Sequence, residues 1–211
     1  MSAPRTFIVV GVAKSGTSMA AGLLRLAGVH FGTTEEFGDY ERESENMYLI
    51  DRVRTGDRQA IEEMNARYGV WGMKHPLLAG QLPWLLHACR NPHFVFCYRD
   101  VVAVAEHKRK GDRTFDPTVF AETMRQDLLT LQTMTEFAAA RRPIQPPMLF
   151  VGYEKASRSP NDTVQRVVDF TGLEVSQLQR DRMFYWINPS AGYRSVREMM
   201  GHGDEAHVDA G

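Results

Sequence analysis

The chain has 211 residues, of which 43% are hydrophobic and 24% are charged, and its formal net charge is −1. This balance supports a real apolar core, and it gives no indication of nucleic acid or an anionic membrane as a partner. No apolar run approaches the ~18 residues of a membrane span, and the N-terminal apolar stretch is too short for a signal peptide. We therefore expect a single cytoplasmic domain over residues 1–200 and a disordered tail over residues 201–211.

Four short apolar runs predict the strands of the fold. Each is rich in β-branched or aromatic residues and lacks a clean alternation of apolar and polar positions, as expected when both faces of a sheet are covered. The runs occupy residues 6–11, 70–74, 93–98 and 148–153. Helical patterns lie between them. This alternation predicts an α/β fold, a three-layer sandwich with a central parallel sheet and right-handed crossovers.

Five helical patterns separate and follow these runs. They cover residues 19–28, 44–69, 76–89, 118–140 and 159–173. Thr55 and Gly56 are expected to interrupt the second pattern. The fourth has large apolar residues at helical spacing, and we expect its methionines to fill the core. These residues are Phe120, Met124, Leu128, Leu131 and Met134.

The stretch GVAKSGTS, residues 11–18, follows the first strand and precedes the first helix. Gly11 and Gly16 have the G-x-x-x-x-G spacing of a phosphate-binding loop. Backbone N–H groups of residues 14–18 would point inward, and the start of the helix adds partial positive charge. A simple glycine turn between strand and helix is the alternative. Three hydroxyl groups add further donors, on Ser15, Thr17 and Ser18.

The lysine of this loop is not in the position that triphosphate chemistry requires. A kinase or nucleotide hydrolase has its lysine after the second glycine, where it reaches the β- and γ-phosphates. Here Thr17 has that position, and Lys14 lies inside the loop. Lys14 is placed to contact the bridging oxygen and the leaving group of a shorter anhydride.

The stretch AKSGTS, residues 13–18, resembles the loop PKSGTT of the PAPS-dependent sulfotransferases. Five further segments are similar to elements of that family, in the same order, and together they cover most of residues 6–194. They are GDYERE (38–43), WGMKHPLL (71–78), HFVFCYRDVVAVAEHKR (93–109), the Tyr-Glu segment and helix at 151–173, and FYWINPSAGYR (184–194). The resemblance implies the P-loop-like fold of small bacterial members. It also implies transfer of a sulfuryl group from PAPS to a hydroxyl or amine of a small-molecule or glycan acceptor, without a metal.

The resemblance also implies roles for individual residues. Lys14 would neutralise the charge that builds on the phosphate leaving group. Ser15, Gly16, Thr17 and Ser18 would hold the 5′-phosphate. Arg99 would pair with the 3′-phosphate through its guanidinium, although a surface ion pair with Asp100 is the alternative. Arg194, in the C-terminal element, would also contact the nucleotide.

One expected nucleotide contact departs from the family pattern. His107 stands where the family has a serine, and Val101 stands where it has a proline. Losing a hydrogen bond to a charged phosphate costs about 1.5–3 kcal/mol, but either ring nitrogen of a histidine can donate. We expect 3′-phosphate binding to survive, weakened or made pH-dependent. A changed nucleotide preference is the alternative.

Two residues compete as the base that activates the acceptor. His75 follows Lys74 at the end of a predicted strand, where some sulfotransferases use a histidine. Glu41 lies in GDYERE, a region from which other branches use a glutamate, and Glu43 ranks behind both. For each, a satisfied polar group without a catalytic role is an equal alternative. Lys74 is a candidate for holding the cofactor phosphate or the acceptor.

Two other functions remain open at this stage. An ATP-dependent small-molecule kinase would use Asp100 to hold a metal, but Thr17 in the lysine position disfavours it. A nucleotide-binding protein that has lost catalysis is the other, supported by His107. The seven histidines are scattered along the chain and predict no metal cluster.

Overall fold

The structure, a computed structural model, describes residues 3–31, 47–106, 115–139 and 145–187. Strands and helices alternate through these ranges. In chain order the elements are β1 (Arg5–Val10), α1 (Thr17–Leu26), α2 (Met47–Arg54), α3 (Arg58–Arg67), β2 (Val70–Lys74), a 3₁₀ helix (Pro76–Gln81), α4 (Leu82–Ala88), β3 (Pro92–Tyr98), α5 (Val101–Ala105), α6 (Pro117–Ala139), β4 (Met148–Gly152), α7 (Tyr153–Arg158), α8 (Pro160–Thr171) and α9 (Gln177–Ile187).

The four strands form one parallel sheet in the order β2-β1-β3-β4. Lys74 lies opposite Val9 in the register of β2 and β1, and Tyr98 lies opposite Gly152 in that of β3 and β4. All four strands therefore end at one edge of the sheet. Each predicted strand agrees with an observed one to within a residue at either end, so the prediction of a central parallel sheet is confirmed.

Helices cover both faces of the sheet. Successive side chains of a strand point to opposite faces, so Phe7 and Val9 pack on one side while Ile8 and Val10 pack on the other. The first face is covered by apolar residues of α1, α8 and α9. The second is covered by apolar residues of α2, α3, the 3₁₀ helix and α4. This confirms the predicted three-layer α/β sandwich.

The region predicted as one helix from residue 76 to residue 89 is two helices. A 3₁₀ helix over Pro76–Gln81 precedes α4, in which Pro83 is the second residue. Proline has no N–H to donate four residues back, and its ring clashes with the carbonyl there, so one continuous α-helix through Pro83 would be broken. The predicted interruption near Gly56 is confirmed: α2 ends at Arg54, and Asp57 caps α3 by accepting from two backbone N–H groups.

The prediction that the methionines of α6 fill the core is wrong for Met124, while the side chain of Met134 lies outside the described residues. Met124, Leu128 and Leu131 are 49%, 56% and 53% exposed, and the buried residues among the described side chains of this helix are threonines. Each buried threonine donates its hydroxyl to the carbonyl four residues back, which leaves its methyl group free to pack. Helical spacing shows which side chains share one face of a helix, but it does not show which of two faces packs against the core. The threonines are Thr123, Thr130 and Thr133.

Among the described residues, none of the helices combines the length and the apolar character that crossing a membrane requires. The predicted tail, residues 201–211, lies outside the described ranges.

Candidate active site

The carboxyl-terminal edge of the sheet brings together polar residues from all four strands. Residues 11–18 follow β1, Lys74 ends β2, Arg99 follows β3 and Tyr153 follows β4. In an open parallel sheet, this edge is where ligands bind. The strand order therefore gathers segments that are more than 130 positions apart in the sequence into one candidate site.

The loop after β1 passes directly over β3. Gly11 has a φ of +156°, and a Cβ at this position would lie 2.5 Å from the carbonyl oxygen of Cys97. Gly16 has a φ of +95° and is the N-cap of α1, and its Cβ would lie 2.9 Å from the ring of Tyr153. Both glycines are thus required by backbone conformation and by close approach. Lys14 also has a positive φ, 73°, without being a glycine.

Donors of the loop are available to an anion. Ser15 is 1% exposed, and among the described residues its Oγ has no hydrogen-bond partner. Gly16 provides no side-chain cap for the first turn of α1, which contains no acidic residue. An uncapped helix start leaves backbone N–H groups without an intrahelical acceptor. Lys14 is exposed at the outer side of the loop, and Thr17 is buried at its base.

Arg99 reaches across to this loop. Its Nη1 donates to the carbonyl oxygen of Lys14 at 3.3 Å, and its guanidinium lies 4.6 Å from the centre of the Tyr153 ring. Its ion-pair partner is Glu154, with 3.8 Å between Nε and Oε1. Asp100, the partner considered from the sequence, accepts from the N–H of Ala103 and caps α5.

The Nε of Arg99 is buried. Among the described residues it has an ion-pair partner but no hydrogen-bond acceptor. Because a buried donor is costly to leave unsatisfied, such an N–H group favours an anionic ligand at this position.

Two candidate residues lie at the end of β2. Lys74 is 2% exposed, and His75 is half-buried at the turn into the 3₁₀ helix, where its carbonyl accepts from Leu78. Burial raises the pKa of the Cys97 thiol to about 12, and the positive charge of Lys74 opposes this rise. The positive charge of Lys74 thus lies at the same edge of the sheet as the loop. Cys97 therefore stays protonated at neutral pH and is an unreactive, buried thiol.

Four candidates fall outside the described residues: Glu41, Glu43, His107 and Arg194. The remaining candidates lie at the carboxyl-terminal edge of the sheet: residues 14–18, Lys74, His75 and Arg99.

Tyr153 and Glu154 also lie at this edge of the sheet, although no role was predicted for either residue from the family resemblance of their segment. Both residues directly follow β4, and the edge of a parallel sheet where its strands end is where ligands bind, so a search of every strand end would have found them.

A sequence profile of the sulfotransferase family matches residues 30–177, which is more than half of the chain. The chain belongs to the sulfotransferase family. The match begins after residues 11–18, so the loop residues contribute nothing to it. Comparison with curated proteins finds no match.

Solved structures of sulfotransferases share the fold of this family member. Sulfotransferase STF1 from Mycobacterium tuberculosis H37Rv is 15% identical with a TM-score of 0.54, and the alignment covers 94% of this chain and 76% of that one. The sulfotransferase domain of the Synechococcus PCC 7002 olefin synthase is 11% identical with a TM-score of 0.52, covering 100% and 91%. The predicted fold of the family is thus confirmed.

A retinol dehydratase crystallised with androsterone and the inactive cofactor PAP is 19% identical with a TM-score of 0.47, covering 90% of this chain. This chain spans 66% of the length of that protein.

Proposed function

We propose that this sulfotransferase moves a sulfuryl group from PAPS to a hydroxyl or amine and releases adenosine 3′,5′-bisphosphate. The observation that carries the proposal is a pair of buried donors at one edge of the sheet. Among the described residues, neither Ser15 Oγ nor Arg99 Nε has a hydrogen-bond acceptor. Ser15 lies in the loop, and Arg99 donates a hydrogen bond to the loop. Two donors arranged in this way suit the two phosphate groups of one nucleotide.

The loop is suited to the 5′-phosphate. It supplies the hydroxyl of Ser15, the uncapped start of α1 and the exposed ammonium of Lys14. A helix start attracts an anion through its N–H groups and its dipole. Lys14 would stabilise negative charge as it develops on the leaving phosphate, a contribution that is larger in the transition state than in the ground state.

Arg99 is suited to the 3′-phosphate. Its side chain is only 20% exposed, and its position is fixed by Lys14, Tyr153 and Glu154. A guanidinium held in this way loses little conformational freedom when it binds a phosphate. His107 and Arg194 are proposed as further contacts, on the resemblance of their segments.

The acceptor is proposed to enter beside β2. His75 is at the same edge of the sheet as the loop, and a base here would take the proton of the acceptor as its oxygen or nitrogen attacks sulfur. The bond between sulfur and the phosphate oxygen breaks in the same displacement. Lys74 would add positive charge near the transferred group. Glu41 remains the competing base, and a small molecule or a glycan remains the proposed acceptor.

The contacts of the site weigh against a kinase. Asp100, the acid that would hold the metal, accepts a 2.8 Å hydrogen bond from the N–H of Ala103 as the cap of α5. Thr17 is buried where a kinase needs an exposed lysine. A measurement of sulfuryl transfer distinguishes the enzyme from a protein that binds the nucleotide without catalysis.

Thermal denaturation with three ligand conditions tests the proposal. We expect adenosine 3′,5′-bisphosphate to raise the melting temperature and ATP with Mg²⁺ to leave it unchanged. At ~100 times the dissociation constant, the ligand should stabilise the fold by about 2.7 kcal/mol. A rise in melting temperature with ATP and Mg²⁺ but not with the bisphosphate would support the kinase. No rise with either ligand would contradict PAPS as the sulfuryl donor.

A further inference from the structure

The backbone of Lys14 adopts an unusual conformation that neighbouring contacts support. Its φ of 73° lies in the left-handed region, which residues other than glycine seldom occupy. A residue stays there when surrounding contacts determine its position. Two contacts bound it: the N–H of Ser15 donates to the carbonyl oxygen of Val12 at 3.1 Å, which closes a turn that contains Lys14, and Arg99 Nη1 donates to the carbonyl oxygen of Lys14 at 3.3 Å.

Arg99 is in turn fixed by residues at the start of α7. The ring of Tyr153 lies under its guanidinium at 4.6 Å, and this ring also packs against Gly16 at the far end of the loop. The Oε1 atom of Glu154 lies 3.8 Å from the Nε atom of Arg99. The guanidinium is therefore limited in both tilt and direction, with one nitrogen directed at the loop.

Glu154 is anchored by more than this ion pair. Its Oε1 also accepts a hydrogen bond from the backbone N–H of Asp100 at 3.2 Å, which ties α7 to the chain directly after β3. An isolated exposed ion pair contributes little because its two side chains are free to separate. Here the carboxylate is held by the backbone, and Arg99 also contacts Lys14 and Tyr153, so the pair has a defined geometry.

We propose that Glu154 is a positioning residue. Through Arg99 it holds the backbone of Lys14, and with it the loop, in the conformation that binds the 5′-phosphate. The effect of Glu154 on catalysis rests on the proposed function, whereas its effect on the conformation of the loop does not. Glu154 would thus affect ligands that carry no 3′-phosphate, although Arg99 itself is assigned to that phosphate.

Hydrogen–deuterium exchange of the loop amides tests the link without any ligand. We expect Glu154→Ala to speed exchange in residues 14–18 by about tenfold, because the loss of one charge-assisted contact changes a local opening equilibrium by about that factor. Glu154→Gln should lie between wild type and alanine, since its amide oxygen can still accept from Asp100. Glu122→Ala removes a similar exposed pair with Arg125 on α6 and should leave the loop unchanged. Unaltered loop exchange in Glu154→Ala, with the fold intact by circular dichroism, would overturn the proposal.

Nucleotide affinity separates this inference from the proposed function. We expect Glu154→Ala to weaken the binding of AMP by roughly fivefold to tenfold, and that of adenosine 3′,5′-bisphosphate by at least this factor because Arg99 also loses its ion-pair partner. If AMP affinity is unchanged and only the bisphosphate weakens, Glu154 serves the 3′-phosphate contact alone and the inference is wrong. If wild type binds neither nucleotide, the proposed donor fails, and the exchange experiment still decides the role of Glu154.

Discussion

Replacing Lys14 by alanine is expected to lower the rate of sulfuryl transfer by roughly 10²–10³-fold, the usual effect of removing one group that stabilises developing charge. The fold should survive, because Lys14 is exposed and alanine has the same Cβ, so the cost of the positive φ is unchanged. The measurement is the turnover of PAPS with a panel of hydroxyl and amine acceptors, together with the melting temperature.

Lys155→Ala is the matched control for this variant. Lys155 is an exposed lysine on α7, so the change in net charge is the same, and turnover should stay close to that of wild type. Equal turnover in Lys14→Ala and wild type would refute the role assigned to Lys14. A loss in binding alone, with kcat unchanged, would mean that Lys14 binds donor and transition state equally well.

Replacing Gly11 by alanine is expected to destabilise the fold by roughly 2–4 kcal/mol, the sum of an overpacked contact and a strained backbone. The new Cβ would lie 2.5 Å from the carbonyl oxygen of Cys97 and 2.6 Å from Ser15 Oγ. That carbonyl belongs to β3, which pairs with strands on both sides, so it cannot move aside cheaply. Urea denaturation measures the loss directly.

Substitutions at two other glycines separate the cost of the close contact from the cost of the strained backbone. Gly56 has a φ of +79° with no atom within 4 Å of its would-be Cβ, so Gly56→Ala carries the conformational cost alone. Gly69 has open space and no positive φ, and Gly69→Ala should be nearly neutral. The expected order of destabilisation is Gly11, then Gly56, then Gly69. A Gly11→Ala variant no less stable than Gly56→Ala would contradict the close approach of loop and sheet.

The strands could be predicted because burial on both faces leaves a strong local signal. Phe7, Ile8, Val9 and Val10 are all 0% exposed, so β1 has four consecutive buried apolar residues and can be recognised without knowing its neighbours. Their order in the sheet follows from pairings between distant segments, which the sequence does not encode locally.

The face of α6 could not be predicted for a different reason. Its apolar stripe and its threonine stripe have the same period, and the difference lies in what surrounds the helix. Thr130 packs inward because its hydroxyl bonds to its own helix, while Leu128 is exposed. A burial prediction that treats every threonine as polar therefore places the helix the wrong way round.

The candidate site could be predicted where a residue follows a strand within a recognisable motif. This applies to the loop and to Arg99. The ion pair of Arg99 with Glu154 and its stacking on Tyr153 depend on β3 and β4 being neighbours, which only the folded chain reveals. The sequence instead offered Asp100 as partner because it is adjacent, but that carboxylate is used by α5.

Calorimetric titration of the chain with adenosine 3′,5′-bisphosphate and with AMP tests the central claim most directly. If the loop holds the 5′-phosphate and Arg99 the 3′-phosphate, the bisphosphate should bind at least about tenfold more tightly than AMP, the worth of one charge-assisted contact. Arg99→Ala should remove most of this preference. Equal affinities for the two nucleotides in wild type, or a preference that survives in Arg99→Ala, would contradict the assignment of this edge of the sheet to PAPS.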